Sequence, residues 1–265
     1  MNKLLKSIFI ILYTSLLSLV TVPSINALEI VDVELQLLID ISGSVSRSEY
    51  NLQMQGYKAA FESEDVQNAI INGTNGQIAV QLIMWSRDNQ QRVMIDWTLI
   101  DSVSSADAFA LTIDELARPF SSMTAIGEAI TFSYPLFFSN EFESERQVMD
   151  ISGDGENNNG TPPAGPSQDA IDAGVEQING IVITTDQNVI DEYANDIVNG
   201  EGAFLLAPAT FNDFQLSVQQ KIVSEIEGST PMGAVYQVQV PEPNTFILFF
   251  ASFLFIIFKQ YKTRN

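Results

Sequence analysis

Three short segments carry side chains able to hold a cation through oxygen alone. The first is Asp40-Ile41-Ser42-Gly43-Ser44. Side chains two apart on extended backbone point the same way, so Asp40, Ser42 and Ser44 can converge on one point. Gly43 permits the tight turn that this convergence needs. The second segment is a hydroxyl cluster, Ser121-Ser122-Met123-Thr124-Ala125-Ile126-Gly127. The third is Ser152-Gly153-Asp154-Gly155, where two glycines expose a carboxylate in a tight loop. The chain contains neither Cys nor His. Disulfides, Cys nucleophiles, His general bases and His or Cys zinc sites are therefore excluded. Any metal must be held by oxygen, which points to Mg²⁺, Mn²⁺ or Ca²⁺.

Taken singly, each segment has a plainer reading. Ser44 or Ser46 fits as a helix cap, and so does Thr124. Asp154-Gly155 fits as a turn. Asp150-x-Ser152-x-Asp154-Gly155 opens like a calcium loop, but its twelfth position is Thr161, where a bidentate Glu is needed, and Asp150 falls within an expected strand. The run Glu156-Asn157-Asn158-Asn159 supplies turn backbone or shapes contacts beside the site. Glu128, four residues beyond Thr124, is the nearest candidate general base, and it reads as decoration of a helix. No Lys or Arg is expected beside the three motifs. With His also missing, acid–base hydrolysis is disfavoured and the chain reads as a binder, not an enzyme.

The elements that must position these segments alternate between strands and helices. An apolar run over 30–39, with Asp32, Glu34 and Gln36 alternating at its start, predicts a strand passing from an edge into a buried position. Ser46-Arg47-Ser48-Glu49 is a capping-type helix start, followed by Tyr50, Met54, Tyr57, Ala60 and Phe61 at helical spacing. Strands over 76–85 and 92–99, joined by polar residues 86–91, form a hairpin. Helices are expected over 105–118, ended by Pro119, and over 125–138, kinked or ended by Pro135. Then come a strand over 146–151, a Gly, Asn and Pro-rich loop over 153–165, and a helix over 167–178. A strand over 180–184, a helix over 188–198, a strand over 203–207 and a helix over 211–226 complete the pattern. Trp85 and Trp97 fall in strands and are expected in the core. The alternation predicts an α/β fold: a doubly wound, mostly parallel central sheet with helices on both faces and one antiparallel edge strand. In such sheets ligands bind at the carboxyl ends of the strands, where all three motifs fall.

The chain has 265 residues, 46% of them hydrophobic, enough to bury a sizeable core. Of its 12 basic residues, Lys3, Lys6, Lys259, Lys262 and Arg264 lie at the ends. Residues 28–240 therefore keep 7 basic against 32 acidic side chains, a net charge of −25. Such a surface repels nucleic acid and anionic lipid and attracts divalent cations and basic partners. Its simpler role is solubility in an extracellular medium.

Both ends read as addresses. Lys3 and Lys6, an apolar run over 8–22 and the small residue Ala27 describe a signal peptide over 1–27, cleaved after Ala27, with an uncleaved anchor as the alternative. A domain over 28–228 follows, then a linker over 229–243, a hydrophobic segment over 244–258 and a basic cytoplasmic tail over 259–265. The hydrophobic segment is shorter than the ~20 residues of a stable spanning helix. Pro241-Glu242-Pro243, the apolar stretch and the basic end together resemble a PEP-CTERM sorting signal. That resemblance implies recognition by a membrane-bound exosortase, with transient membrane anchoring and delivery to the cell surface or outside; a plain anchor is the alternative.

Asp40-x-Ser42-x-Ser44, then Thr124, then Asp154-Gly155, in this order, resemble the metal-ion-dependent adhesion site of von Willebrand factor A domains. With Trp97-Thr98-Leu99-Ile100-Asp101, Thr124-Ala125-Ile126-Gly127 and Ser152-Gly153-Asp154-Gly155, the stretch 31–227 is similar to a bacterial A-domain family of unknown function. The resemblance implies that Asp40, Ser42, Ser44, Thr124 and Asp154 hold a divalent metal, with hydroxyls bound directly and carboxylates directly or through water. Two carboxylates roughly neutralise a dication yet leave it underligated, favouring Mg²⁺ or Mn²⁺ over Ca²⁺ and an open position for an acidic group of a protein or glycan. The alternatives are a metal-assisted hydrolase and a structural extracellular-matrix protein that needs no metal. The sequons at Asn72 and Asn159 are expected to be silent in a bacterial chain.

Overall fold

In the computed structural model of the protein, residues 27–239 are described. The leader to residue 26, Pro241, Glu242, Pro243 and the segments beyond them lie outside the described residues.

The centre of the molecule is strand β2 (Glu34–Asp40), whose seven residues are all buried. It pairs in parallel with β3 (Ile78–Trp85) on one side and β6 (Gln147–Gly153) on the other. The sheet continues through β7 (Gln177–Val182) and β8 (Phe204–Leu206), also parallel. Antiparallel strands close both edges: β4 (Gln91–Ile100) beside β3, and β9 (Tyr236–Gln237) beside β8. The fold is thus a seven-stranded, mostly parallel sheet, with two antiparallel edges where the sequence predicts one. β9 has only two residues, too short for any period to register. A small separate sheet pairs β1 (Glu29–Ile30) with β5 (Phe142–Glu143).

Period-two alternation along β2 sends Leu35, Leu37 and Ile39 to one core and Leu38 to the other. The first core is covered by α1 (Arg47–Phe61), α2 (Glu64–Ile71), α3 (Val103–Asp114) and α7 (Phe211–Glu227). The second is covered by α4 (Ile126–Ser133), α5 (Ala164–Ala173) and α6 (Gln187–Glu192). Trp85 is fully buried, whereas Trp97 is half-buried and donates Nε1 to Leu136 O at 3.3 Å.

The edge expectation for the first strand is wrong. Glu34 and Gln36 look like solvent-facing residues in sequence, yet both are buried. Glu34 accepts from Asn140 Nδ2 at 2.6 Å and Ser144 Oγ at 2.9 Å. Gln36 donates to Ser133 O at 2.9 Å and Gln81 Oε1 at 3.0 Å. Tertiary hydrogen bonds make their burial tolerable.

Several boundaries also move. Ser46 and Glu49 do form a reciprocal capping box at the start of α1. Helix α2, capped by Ser63, falls where no element is expected. Helix α3 stops at Asp114, four residues before Arg118. Helix α4 gives way at Tyr134 to a 3₁₀ turn (Tyr134–Phe138) containing Pro135, as the proline requires. Helix α5 ends earlier than expected because Gly174 adopts φ 118°, a left-handed stop. The expected helix over 188–198 breaks into α6 and a π turn (Tyr193–Ile197). Among the described residues, no helix is long and apolar enough to cross a membrane.

Candidate metal centre

The strand order β3-β2-β6-β7 reverses direction of travel between β2 and β6. Loops leaving their carboxyl ends diverge there and leave a crevice, the usual ligand position in open α/β sheets. Asp40 is the last residue of β2, and Asp154 follows the last residue of β6. The sheet itself brings these two carboxylates to one rim.

Ser44 Oγ donates to Asp154 Oδ1 at 2.5 Å. Ser42 and Ser44 hydroxyls lie 3.0 Å apart. The Ser42 N–H donates to Asp40 Oδ1 at 2.6 Å, fixing that carboxylate over the turn. The other oxygen, Asp40 Oδ2, is buried and has no hydrogen-bond partner. Burial raises the Asp40 carboxyl to about 7, and the Asp154 charge pushes the same way, against Ser42 hydrogen bonds and the Arg118 charge. Burial also raises Asp154, opposed first by the Ser44 hydroxyl. A cation would relieve both the Asp154 charge acting on Asp40 and the orphaned Asp40 oxygen.

Thr124 is 3% exposed, on the loop before α4. It is not the cap of α4: that position is Ala125, which has no side-chain cap. Instead, Asn157 Oδ1 accepts the Ile126 N–H at 2.8 Å. Asn158 grips Thr124 from both sides, accepting its N–H at 2.9 Å and donating to its carbonyl at 2.9 Å. The loop is joined to the first motif by Gly43 N to Ser122 O at 2.5 Å, and to Ser86, whose Oγ donates to Met123 O at 2.9 Å. No hydrogen bond links the Thr124 hydroxyl to the other four side chains among the described residues. The structure therefore joins Ser42, Ser44 and Asp154 directly, sets Asp40 beneath them, and brings Thr124's loop against theirs.

Gly153 is required between the carboxylates. A Cβ there would lie 2.2 Å from the Tyr193 hydroxyl and 3.1 Å from Asp40 Oδ2. Tyr193 opens the π turn after α6, and its buried hydroxyl has no partner.

The structure corrects the expectations for Arg118 and Glu128. A cation does stand beside the motifs: Arg118 donates to Ile41 O at 2.7 Å and to Ser42 O at 2.5 Å, and to Ser121 Oγ at 2.9 Å. The sequence predicts a helix running through Arg118; with α3 ending at Asp114, the irregular chain after it carries the guanidinium back onto the turn. Those carbonyls engage the guanidinium. Glu128 does not decorate a helix face, since its Oε1 accepts the Thr161 N–H at 2.7 Å and pins the loop after β6. Asp150 lies in β6, as expected, fully buried and 2.7 Å from Lys221 Nζ, which bears out the argument against a calcium loop. Ser44 is not a cap either; Ser46 is.

The residues present fit a divalent cation. Among the described residues, no cluster holds three or more His, Cys, Asp or Glu side chains. An ion at this rim would therefore draw on two carboxylates and neighbouring hydroxyls, hard oxygen donors suited to Mg²⁺ or Mn²⁺.

The model of a family described as "Protein of unknown function (DUF1194)" matches residues 30–230. The chain belongs to this family. No curated protein matches it. Solved structures share the von Willebrand A-type fold of this DUF1194 chain. Proximal thread matrix protein 1 from the mussel byssus, with a zinc-occupied MIDAS motif, is 16% identical with TM-score 0.54, covering 75% of this chain and 49% of that one. The pilus adhesin SpaC from Lactobacillus rhamnosus GG is 12% identical with TM-score 0.54, covering 76% and 31%. A von Willebrand factor type A protein from Catenulispora acidiphila is 12% identical with TM-score 0.53, covering 74% and 43%. The chain thus spans less than half the length of each. At these identities, the likeness is one of fold.

Proposed function

We propose that this DUF1194 chain is an exported, adhesion-type binding domain that captures an acidic group of a protein or glycan through a divalent metal. Asp40, Ser42, Ser44, Thr124 and Asp154 would hold the metal, Mg²⁺ or Mn²⁺ in preference to Ca²⁺. One observation carries the reading: Ser42, Ser44 and Asp154 are chained by hydrogen bonds above a buried Asp40 oxygen that has no partner. When bound, the ion supplies a Lewis-acidic coordination position. The residues here orient it, and Arg118 holds the turn that carries two of its hydroxyls. The chain acts as a binder and not as an enzyme. Export and sorting rest on the ends: a signal peptide, and Pro241-Glu242-Pro243 for exosortase recognition. A thread matrix protein of the mussel byssus and a pilus adhesin share this fold, which supports a surface or extracellular setting.

Calorimetric titration of the full-length chain with MgCl₂, MnCl₂, CaCl₂ and ZnCl₂ tests this. Zinc is included because the byssus protein holds it in its MIDAS motif. The expected result is saturable Mg²⁺ or Mn²⁺ binding, lost in Asp40→Ala with an unchanged circular dichroism spectrum. Absence of binding by every ion overturns the proposal.

A further inference from the structure

Asp32 stands just before β2 and Asp40 ends it. At about 3.3 Å per residue, the seven residues of β2 separate the two ends of the sheet by roughly 20 Å. At the Asp32 end, a groove of about 820 Å³ runs between α2 and α7 and is closed by the chain following α7.

Its walls are amides and hydroxyls. Asn68, Asn72 and Thr74 come from α2 and the turn after it; Gln219 and Gln220 come from α7; Thr230 stands on the closing segment. The side chains of Asn68, Asn72 and Gln220 are exposed and make no hydrogen bond among the described residues. Gln219 Nε2 is used on Asp65 Oδ2 at 2.9 Å, which leaves its carbonyl free to accept. Thr230 Oγ1 accepts from Gln237 Nε2 at 2.6 Å, which leaves its hydroxyl hydrogen free to donate. Ala69, Val223, Pro231 and Met232 provide apolar patches between these groups.

The charges select against an anionic guest. Asp32 is already satisfied by the Asn75 and Gly76 N–H groups at 2.8 and 3.0 Å. Arg146 is committed to the carbonyls of Glu225 at 2.7 Å and Ile226 at 3.0 Å. Asp65, which accepts from Gln219, and the exposed Glu227 add negative charge that repels phosphate, sulfate and carboxylate ligands. A wholly apolar guest would strand the amides without water. A guest with hydroxyls that both donate and accept, and with C–H faces for the apolar patches, satisfies every wall.

We propose that this groove binds a neutral saccharide at the pole opposite the metal centre. Its binding is independent of the metal, so it stands or falls separately from the adhesion reading. Full-length chain in a non-glycosidic detergent is titrated by calorimetry with maltohexaose, cellohexaose and chitohexaose, once in EDTA and once in MgCl₂. At least one binds, with equal affinity in both buffers. Asn72→Ala combined with Gln220→Ala weakens it about tenfold, the effect of losing two hydrogen bonds. Ala69→Trp, filling the floor, abolishes it; should that variant not fold, the two exposed amides still decide. The proposal is overturned if none of the three sugars binds, if the amide pair changes nothing, or if binding requires Mg²⁺.

Discussion

Ser44 Oγ reaches Asp154 Oδ1 at 2.5 Å across 110 residues of sequence, tying the turn after β2 to the loop after β6. This hydrogen bond stabilises the ionised Asp154 against its own burial and the nearby Glu49 charge. Asp154→Asn is expected to abolish Mg²⁺ binding by calorimetry. In EDTA its melting temperature should be unchanged or higher than wild type, since one of two adjacent negative charges has gone. A large loss of stability in EDTA would mean that Asp154 serves the fold and not an ion.

Metal-free protein should lose stability as pH rises. Asp40 goes from an ordinary 3.8 to about 7, and Glu225 from 4.5 to about 7, each chiefly by burial. A raised folded-state value means the native state binds protons more tightly than the unfolded chain. The stability so gained is complete below about pH 4 and is lost as pH climbs through about 7, by a few kcal/mol at most per group. Urea unfolding in EDTA between pH 5 and 8 should show this slope. Mg²⁺ should flatten it in part, because the cation takes the place of the Asp40 proton; an identical slope in both buffers refutes the assignment.

The Asp150, Lys221 and Glu225 side chains form a fully buried cluster joining β6 to α7. Asn179 Nδ2 also donates to Glu225 Oε1 at 3.1 Å. Lys221→Met leaves two carboxylates unpaired in the core and is expected to cost about 3–5 kcal/mol. Glu225→Gln removes the surplus negative charge while keeping the Asn179 contact, so it should cost far less and remove the Glu225 share of the pH slope. Chemical denaturation of both variants distinguishes them.

Gly153→Ala should both destabilise the fold and weaken metal binding, because its Cβ would meet the Tyr193 hydroxyl at 2.2 Å and Asp40 Oδ2 at 3.1 Å. Tyr193→Phe alone removes an unpartnered buried hydroxyl and should be neutral or stabilising. The double variant should regain stability over Gly153→Ala, since the closer clash is gone. It should not regain full metal affinity, since the Asp40 contact remains. Melting temperature and Mg²⁺ titration read the two effects apart.

Local signals carried over well into the structure. The Ser46–Glu49 capping box, the Pro135 break and the β3–β4 hairpin depend on residues within a few positions of each other. Glu34 and Gln36 misled because burial depends on Asn140, Ser144, Ser133 and Gln81, all at least 45 residues away. Arg118 misled for a related reason: its target is the Ile41 and Ser42 carbonyls, and no spacing within α3 announces them. The π turn that aims Tyr193 at Gly153 has no compositional mark.

By itself, the sequence determined the chemistry that is possible. Without Cys or His only oxygen donors remain, and the alternation of strands and helices places Asp40, Thr124 and Asp154 after strands or before a helix of one sheet. Only the tertiary structure decided which of those oxygens meet. Contact between Ser44 and Asp154 needs β2 and β6 to be neighbours, and strand order is set by packing of two cores across the whole chain rather than by any local run of residues.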